Sequence, residues 1–167
     1  MTDRDQVLRA IWSPVQVNPS WAVLIERIGD TLRAIEPQTR LRHTGGSGQI
    51  SGCLWDFYVN SHAQGVGPKR VPWPANASRA WEVALSYRGP FVTATSWTDE
   101  SSPPDEITDP KLVQLVEEIA RSERLTYLDA HEAQAWTFTW DELQGDASMR
   151  LDWSDTPTAF NLLFYEY

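Results

Sequence analysis

The chain has 167 residues, of which 41% are hydrophobic and 22% charged, as expected for one globular domain with a real core. Its net charge of −9 argues against nucleic acid as a partner, because phosphate backbones bind basic surfaces. Cys53 is the single cysteine, which excludes an internal disulfide and indicates a reducing compartment. The start of the sequence is acidic and no long apolar run follows, so we expect a cytoplasmic protein without a membrane span.

The charges are distributed unevenly along the chain. Residues 1–90 contain ten Lys and Arg against seven Asp and Glu, a balance of +3. Residues 91–167 contain four Lys and Arg against sixteen Asp and Glu, a balance of −12. This asymmetry favours a partner with a basic surface, although acidic residues in many proteins only maintain solubility.

Two helices are predicted near the start of the chain. The first is short and places Val7 and Ile11 on one apolar face. The second begins at Asn18-Pro19, a typical helix start, and ends before Pro37. Its apolar stripe consists of Trp21, Leu24, Ile25, Ile28, Leu32 and Ile35.

The middle of the chain predicts strands. Residues 39–43 and 49–60 form two of them, and in the second the odd-numbered side chains, such as Trp55, are expected to face the core. Residues 78–97 predict a β-hairpin in which Trp81, Val83 and Leu85 form one buried face. The acidic segment 98–108 that follows is expected to be an exposed loop.

The last third begins with a helix and continues with more strands. Asp109-Pro110 is a second helix start, and that helix is expected to end near Arg124. Residues 125–128 and 136–140 predict short strands, and the apolar run 158–167 predicts a buried strand. The expected fold is a single α+β domain over residues 1–167. Its mainly antiparallel sheet has about five to six strands, with two N-terminal helices and one mid-chain helix packed against it.

The sequence contains no clear catalytic or metal-binding motif. The Gly-rich stretch 44–48 lacks the Lys-Ser/Thr of a P-loop and fits a hairpin loop better. Asp129, His131 and Glu132 could suit a metal or a general base, but are more typical of a polar helix start or an exposed turn. Cys53 lies on a strand face that we expect to be buried and inert. We therefore predict no cofactor, no metal ligand, no catalytic residue and no enzymatic activity.

Acidic residues combined with loosely placed aromatic residues favour a protein-binding surface. Aromatic side chains anchor interfaces, and complementary charge accelerates encounter. Most of the candidates lie in the loop after the hairpin and near Trp153. The predicted partner-binding residues are Trp97, Asp99, Glu100, Asp105, Glu106, Trp140, Asp141, Glu142, Asp152, Trp153 and Asp155.

The segment Ala80–Ser86 and the closing run Leu162–Tyr167, in a small, acidic, tryptophan-rich chain, resemble the immunity proteins of bacterial polymorphic-toxin systems. The resemblance implies a non-enzymatic inhibitor that binds one cognate toxin. A nuclease-like toxin with a basic cleft would complement the acidic part of the chain. Nine tryptophans also leave open a carbohydrate-binding or hydrolytic enzyme domain, in which aromatic rings stack on sugars and carboxylates act on the glycosidic bond.

Overall fold

The computed structural model describes residues 4–12, 19–44, 52–59, 77–98, 104–139, 141–143 and 156–164. The helices are α1 (Arg4–Trp12), α2 (Pro19–Ile35), α3 (Pro110–Glu123), α4 (Ala130–Ala135) and α5 (Ala159–Phe164). The strands are β1 (Arg40–Thr44), β2 (Gly52–Val59), β3 (Arg79–Ser86), β4 (Phe91–Trp97) and β5 (Thr126–Tyr127). The predicted α+β class is confirmed, with five helices in the described part of the chain instead of three.

The strands form one sheet in the order β1-β2-β3-β4-β5. The first four are antiparallel neighbours, and β5 pairs in parallel with β4. The predicted hairpin of β3 and β4 is confirmed, with Val83 opposite Ala94 and Glu82 opposite Thr95. In both β1–β2 and β3–β4 the two paired strands follow each other in the sequence. Local sequence patterns were therefore sufficient to predict these two pairs.

Helices cover both faces of the sheet. On one face, α2 and α3 pack over the odd-numbered core residues of β2 and β3, including Trp55 and Val83. On the other face, α1, α4 and α5 pack over Leu54 and Ala84. The expectation of a single buried face in the hairpin is therefore wrong, because two helices that the sequence did not predict, α4 and α5, form part of a second layer.

The final apolar run forms a helix where a strand was predicted. Within the predicted strand 158–167, residues Ala159–Phe164 form α5, and the Thr158 hydroxyl accepts a hydrogen bond from Asn161 N at 3.2 Å, as at a helix start. A run that is apolar all round fits a buried helix as well as a buried strand, so periodicity could not separate the two. The predicted strand 136–140 is also wrong, since its described residues form only one bridge, between Thr137 and Thr158.

The helices α2 and α3 form where the sequence predicts them, and one residue of the predicted α2 apolar stripe, Ile35, is not buried. The α2 side chains Ile28 and Leu32 are buried, whereas Ile35, also expected in the apolar stripe, is 52% exposed. Ile35 is the last residue of α2, and the chain turns directly after it to enter β1. Arg124 ends α3 in the left-handed conformation, with φ of 57°, as expected for a helix C-terminus.

Candidate functional site

The segment 104–109 belongs to the predicted partner-binding loop and is anchored to β4 by Asp105. The Asp105 amide donates to Ser96 O at 2.8 Å, and its carboxylate accepts from the Ser96 hydroxyl at 2.8 Å and from Thr98 N at 3.0 Å. The two side-chain bonds use both carboxylate oxygens. Asp105 therefore holds the loop in position, a role that the exposed-loop prediction did not include.

Asp109 anchors the other end of this segment. Its amide donates to the buried Ser96 hydroxyl at 3.0 Å, so one serine connects both anchors. Its carboxylate caps α3 by accepting from Lys111 N at 2.9 Å and forms an ion pair with Arg79. Burial alone would raise the pKa of Asp109, but the hydrogen bonds from Lys111 N–H and Arg79 outweigh it and leave that pKa below its ordinary value.

Between these anchors the loop presents an apolar side chain to solvent. Ile107 is 79% exposed, whereas the other exposed large hydrophobic residues in the described part of the chain reach at most 53%. Glu106 beside it is exposed as well, and Thr108 is buried. A single exposed apolar residue is ordinary, but one fixed between two anchors loses little conformational entropy on binding. The loop is therefore preorganised for contact with another surface.

The predicted residues Asp141 and Glu142 belong to a different part of the structure. Asp141 is exposed. Glu142 Oε2 accepts from Thr139 N at 2.8 Å while Glu142 N donates to the Thr139 hydroxyl at 3.2 Å, the reciprocal pattern of a capping box. Glu142 Oε1 accepts from Arg4 of α1 at 2.8 Å. The hydrogen bond from Thr139 N–H and the contact with Arg4 lower the pKa of Glu142.

The structure thus brings together Trp97, Asp105 and Glu106 around the end of β4, whereas Glu142 is joined to α1. Trp97 is half-buried and is the last residue of β4. The other predicted partner-binding residues lie outside the described residues: Asp99, Glu100, Trp140, Asp152, Trp153 and Asp155.

A row of charged and polar residues crosses the sheet on the face that α1, α4 and α5 partly cover. In register, Arg40 lies opposite Asp56, Asp56 opposite Glu82, and Glu82 opposite Thr95. Asp56 is 3.2 Å from Arg40 Nε and 2.7 Å from an Nη of Arg42. The same Arg42 nitrogen is 3.6 Å from Glu82 Oε2. We call Asp56, Glu82 and the two arginines the charged row.

Glu82 is the buried member of the charged row. It is 7% exposed, and its Oε1 has no hydrogen-bond partner among the described residues. Burial raises the pKa of Glu82 to about 7; the positive charge of Arg42 opposes the rise, and Asp56 adds to it. The carboxyl group therefore changes its protonation close to neutral pH.

Sequence reasoning missed the charged row because it treated the even-numbered face of the hairpin as solvated. The signal was present: pairing the predicted strands places two acids, Asp56 and Glu82, directly opposite each other, which is unfavourable unless cations lie nearby. Arg40 and Arg42 alternate in the adjacent predicted strand and supply those cations.

The other chemical candidates take structural positions. Asp129 caps α4 by accepting from His131 N and Glu132 N, both at 2.9 Å, which matches a polar helix start. Cys53 is buried, and burial raises its pKa to about 12, so little reactive thiolate forms near neutral pH. Across the described ranges, no group of three His, Cys, Asp or Glu side chains could hold a metal ion.

No helix within the described residues has the length and apolarity needed to cross a bilayer. Comparisons with protein-family models, curated proteins and solved structures give no match to this chain.

Proposed function

We propose that this protein is a non-enzymatic binding protein that docks a partner on residues 104–109 and inhibits that partner. We call these residues the anchored loop. The observation that carries the proposal is the position of Ile107, 79% exposed between two residues that are each fixed by several hydrogen bonds. An apolar side chain that is already held in position can fill a pocket of a partner at a small cost in conformational entropy.

The charge around the loop favours a basic partner. The loop and α3, residues 104–123, contain six Asp and Glu against two Lys and Arg, a balance of −4. Three of these acids are exposed: Glu106, Glu117 and Glu118. A surface of this sign accelerates association with a basic protein and weakens association with nucleic acid.

The identity of the partner as a toxin follows from the resemblance to immunity proteins and is part of the proposal. An inhibitor of a nucleic-acid-degrading toxin must cover a basic cleft that its substrate would otherwise occupy. An acidic surface with an apolar anchor supports that role, because charge complementarity gives fast capture and the anchor slows release.

The test is capture of the partner from a lysate of the source cell, followed by affinity measurement with the purified partner. We expect the I107D variant to bind at least about tenfold more weakly than the wild-type protein, since it places a carboxylate in an apolar contact. The matched control is V23D, because Val23 lies on α2, is 52% exposed, and undergoes the same change.

The partner is expected to be basic, to bind in stoichiometric amount, and to lose its toxic activity when the wild-type chain is added. Equal weakening by I107D and V23D would contradict the assignment of the loop, because it would indicate only a general effect of added charge. A captured partner whose activity is unaffected would contradict the inhibitory role.

A further inference from the structure

The charged row contains buried carboxylate oxygens that lack hydrogen-bond donors among the described residues. Side-chain exposure falls along the row from 56% at Arg42 to 17% at Asp56 and 9% at Glu82, so Glu82 is its most buried member. Asp56 is paired with both arginines, yet Asp56 Oδ1 and Glu82 Oε1 both lack a hydrogen-bond partner among the described residues. A buried carboxylate oxygen without a donor is costly, which indicates a missing hydrogen-bond donor.

Arg42 supplies only part of the required charge. Its contact with Glu82 is 3.6 Å, longer than a charge-assisted hydrogen bond, whereas its contact with Asp56 is 2.7 Å. Arg42 lies on β1, which is the edge strand of the sheet, and more than half of its side chain is exposed. The side chain therefore has room to move aside and leave its position above the two carboxylates to another cation.

An aromatic residue lies beside the two acids. Trp97 pairs with Ala80, and Glu82 is two residues along the same strand, so Trp97 and Glu82 share a face of the sheet at diagonal positions. Diagonal neighbours are within reach of an aromatic side chain. Carboxylates next to an aromatic ring are the combination that recognises guanidinium and ammonium groups, through ion pairing and cation–π contact.

We propose that Asp56, Glu82 and Trp97 form a subsite for one cationic side chain, arginine or lysine, of the basic partner, which displaces Arg42 when it binds. The subsite rests on the proposed function, because the partner supplies the cation. Trp97 is next to Ser96, the residue that anchors the loop presenting Ile107, so the subsite and the loop lie at the same end of β4 on opposite faces of the sheet.

The subsite is testable without the partner, with N-acetyl-arginine amide as the probe and N-acetyl-citrulline amide as its neutral match. The Glu82 carboxyl resonance of the full chain is followed by carbon-13 NMR across a pH titration. At saturation the arginine probe should lower the midpoint of the Glu82 titration by about one pH unit, because a guanidinium in hydrogen-bonding contact stabilises the carboxylate more than Arg42 does at 3.6 Å. The citrulline probe should leave the midpoint unchanged.

Two arginine variants separate displacement from general charge effects. Arg42→Ala should strengthen binding of the arginine probe, since it removes the competing cation. Arg33→Ala should not, because Arg33 is on α2 and pairs with Asp30 at 2.7 Å. Three results would each overturn the subsite. The Glu82 midpoint could stay unchanged with both probes, it could move equally with both probes, or Arg42→Ala could weaken binding of the arginine probe.

The two proposals fail separately. If I107D breaks the complex while the arginine probe leaves Glu82 unaffected, the subsite is overturned and the docking function stands. If the probe acts as expected while I107D binds the partner normally, the assignment of the loop is overturned.

Discussion

Replacing Glu82 by glutamine is expected to change the free energy of unfolding more favourably above about pH 7 than it does in acid. The pKa of Glu82 is raised from 4.5 to about 7 in the folded protein, so the fold favours the protonated carboxyl. The stability that this group contributes is fully present below about pH 4.5 and is lost as the pH rises through about 7. A pKa shift of this size corresponds to an unfolding free energy on the order of 3 kcal/mol. Glutamine does not ionise, so its contribution to stability is not lost as the pH rises.

Urea unfolding of both proteins between about pH 4 and pH 8 measures the effect. The stability difference between E82Q and the wild-type protein should grow in favour of E82Q across this range and then level off. Glu117→Gln is the matched control, because Glu117 is exposed on α3 and should give a nearly constant difference. A constant difference for E82Q would show that Glu82 does not titrate near neutrality in the folded protein.

Replacing Asp109 by alanine is expected to destabilise the fold by about 2–4 kcal/mol. The change removes the cap of α3 and leaves Arg79 without its carboxylate partner. Asp109→Asn keeps a capping oxygen but not the charge, so we expect it to lose less stability than the alanine variant. Denaturant unfolding near neutral pH gives both values.

The same substitution should also weaken partner binding, since the Asp109 carboxylate ties the end of the loop that presents Ile107 to Arg79 of β3. The prediction would be contradicted if Asp109→Ala were as stable as the wild-type protein. It would equally be contradicted if asparagine and alanine had the same effect, because the cap would then contribute nothing.

Elements with local signals could be predicted from the sequence. The hairpin of β3 and β4 follows from alternation around a Gly-Pro turn, and α3 follows from Asp109-Pro110 at its start. These signals depend only on neighbouring residues. The segment Ala159–Phe164 has a weaker signal. Thr158 can cap a helix, but five of the six residues are apolar, which fits a buried strand equally well, so tertiary packing decides that it is a helix.

The candidate site could be predicted only in part, for the same reason. Sequence patterns placed Asp105 and Glu106 in the acidic segment that follows Trp97, but could not show that Asp105 holds that segment to β4. The burial of Glu82 was not expected either, because the sequence predicted only one buried face for the hairpin and Glu82 lies on the other. Side-chain roles that arise from contacts between distant elements require the structure.

The most direct test of the binding role is amide hydrogen exchange of the whole chain, alone and in complex with the captured partner. Binding at the anchored loop predicts slower exchange for residues 105–108 in the complex, with no comparable change in α2 around Val23. Protection confined to α2, with exchange of residues 105–108 unchanged, would contradict the proposal that Ile107 and its loop form the docking surface.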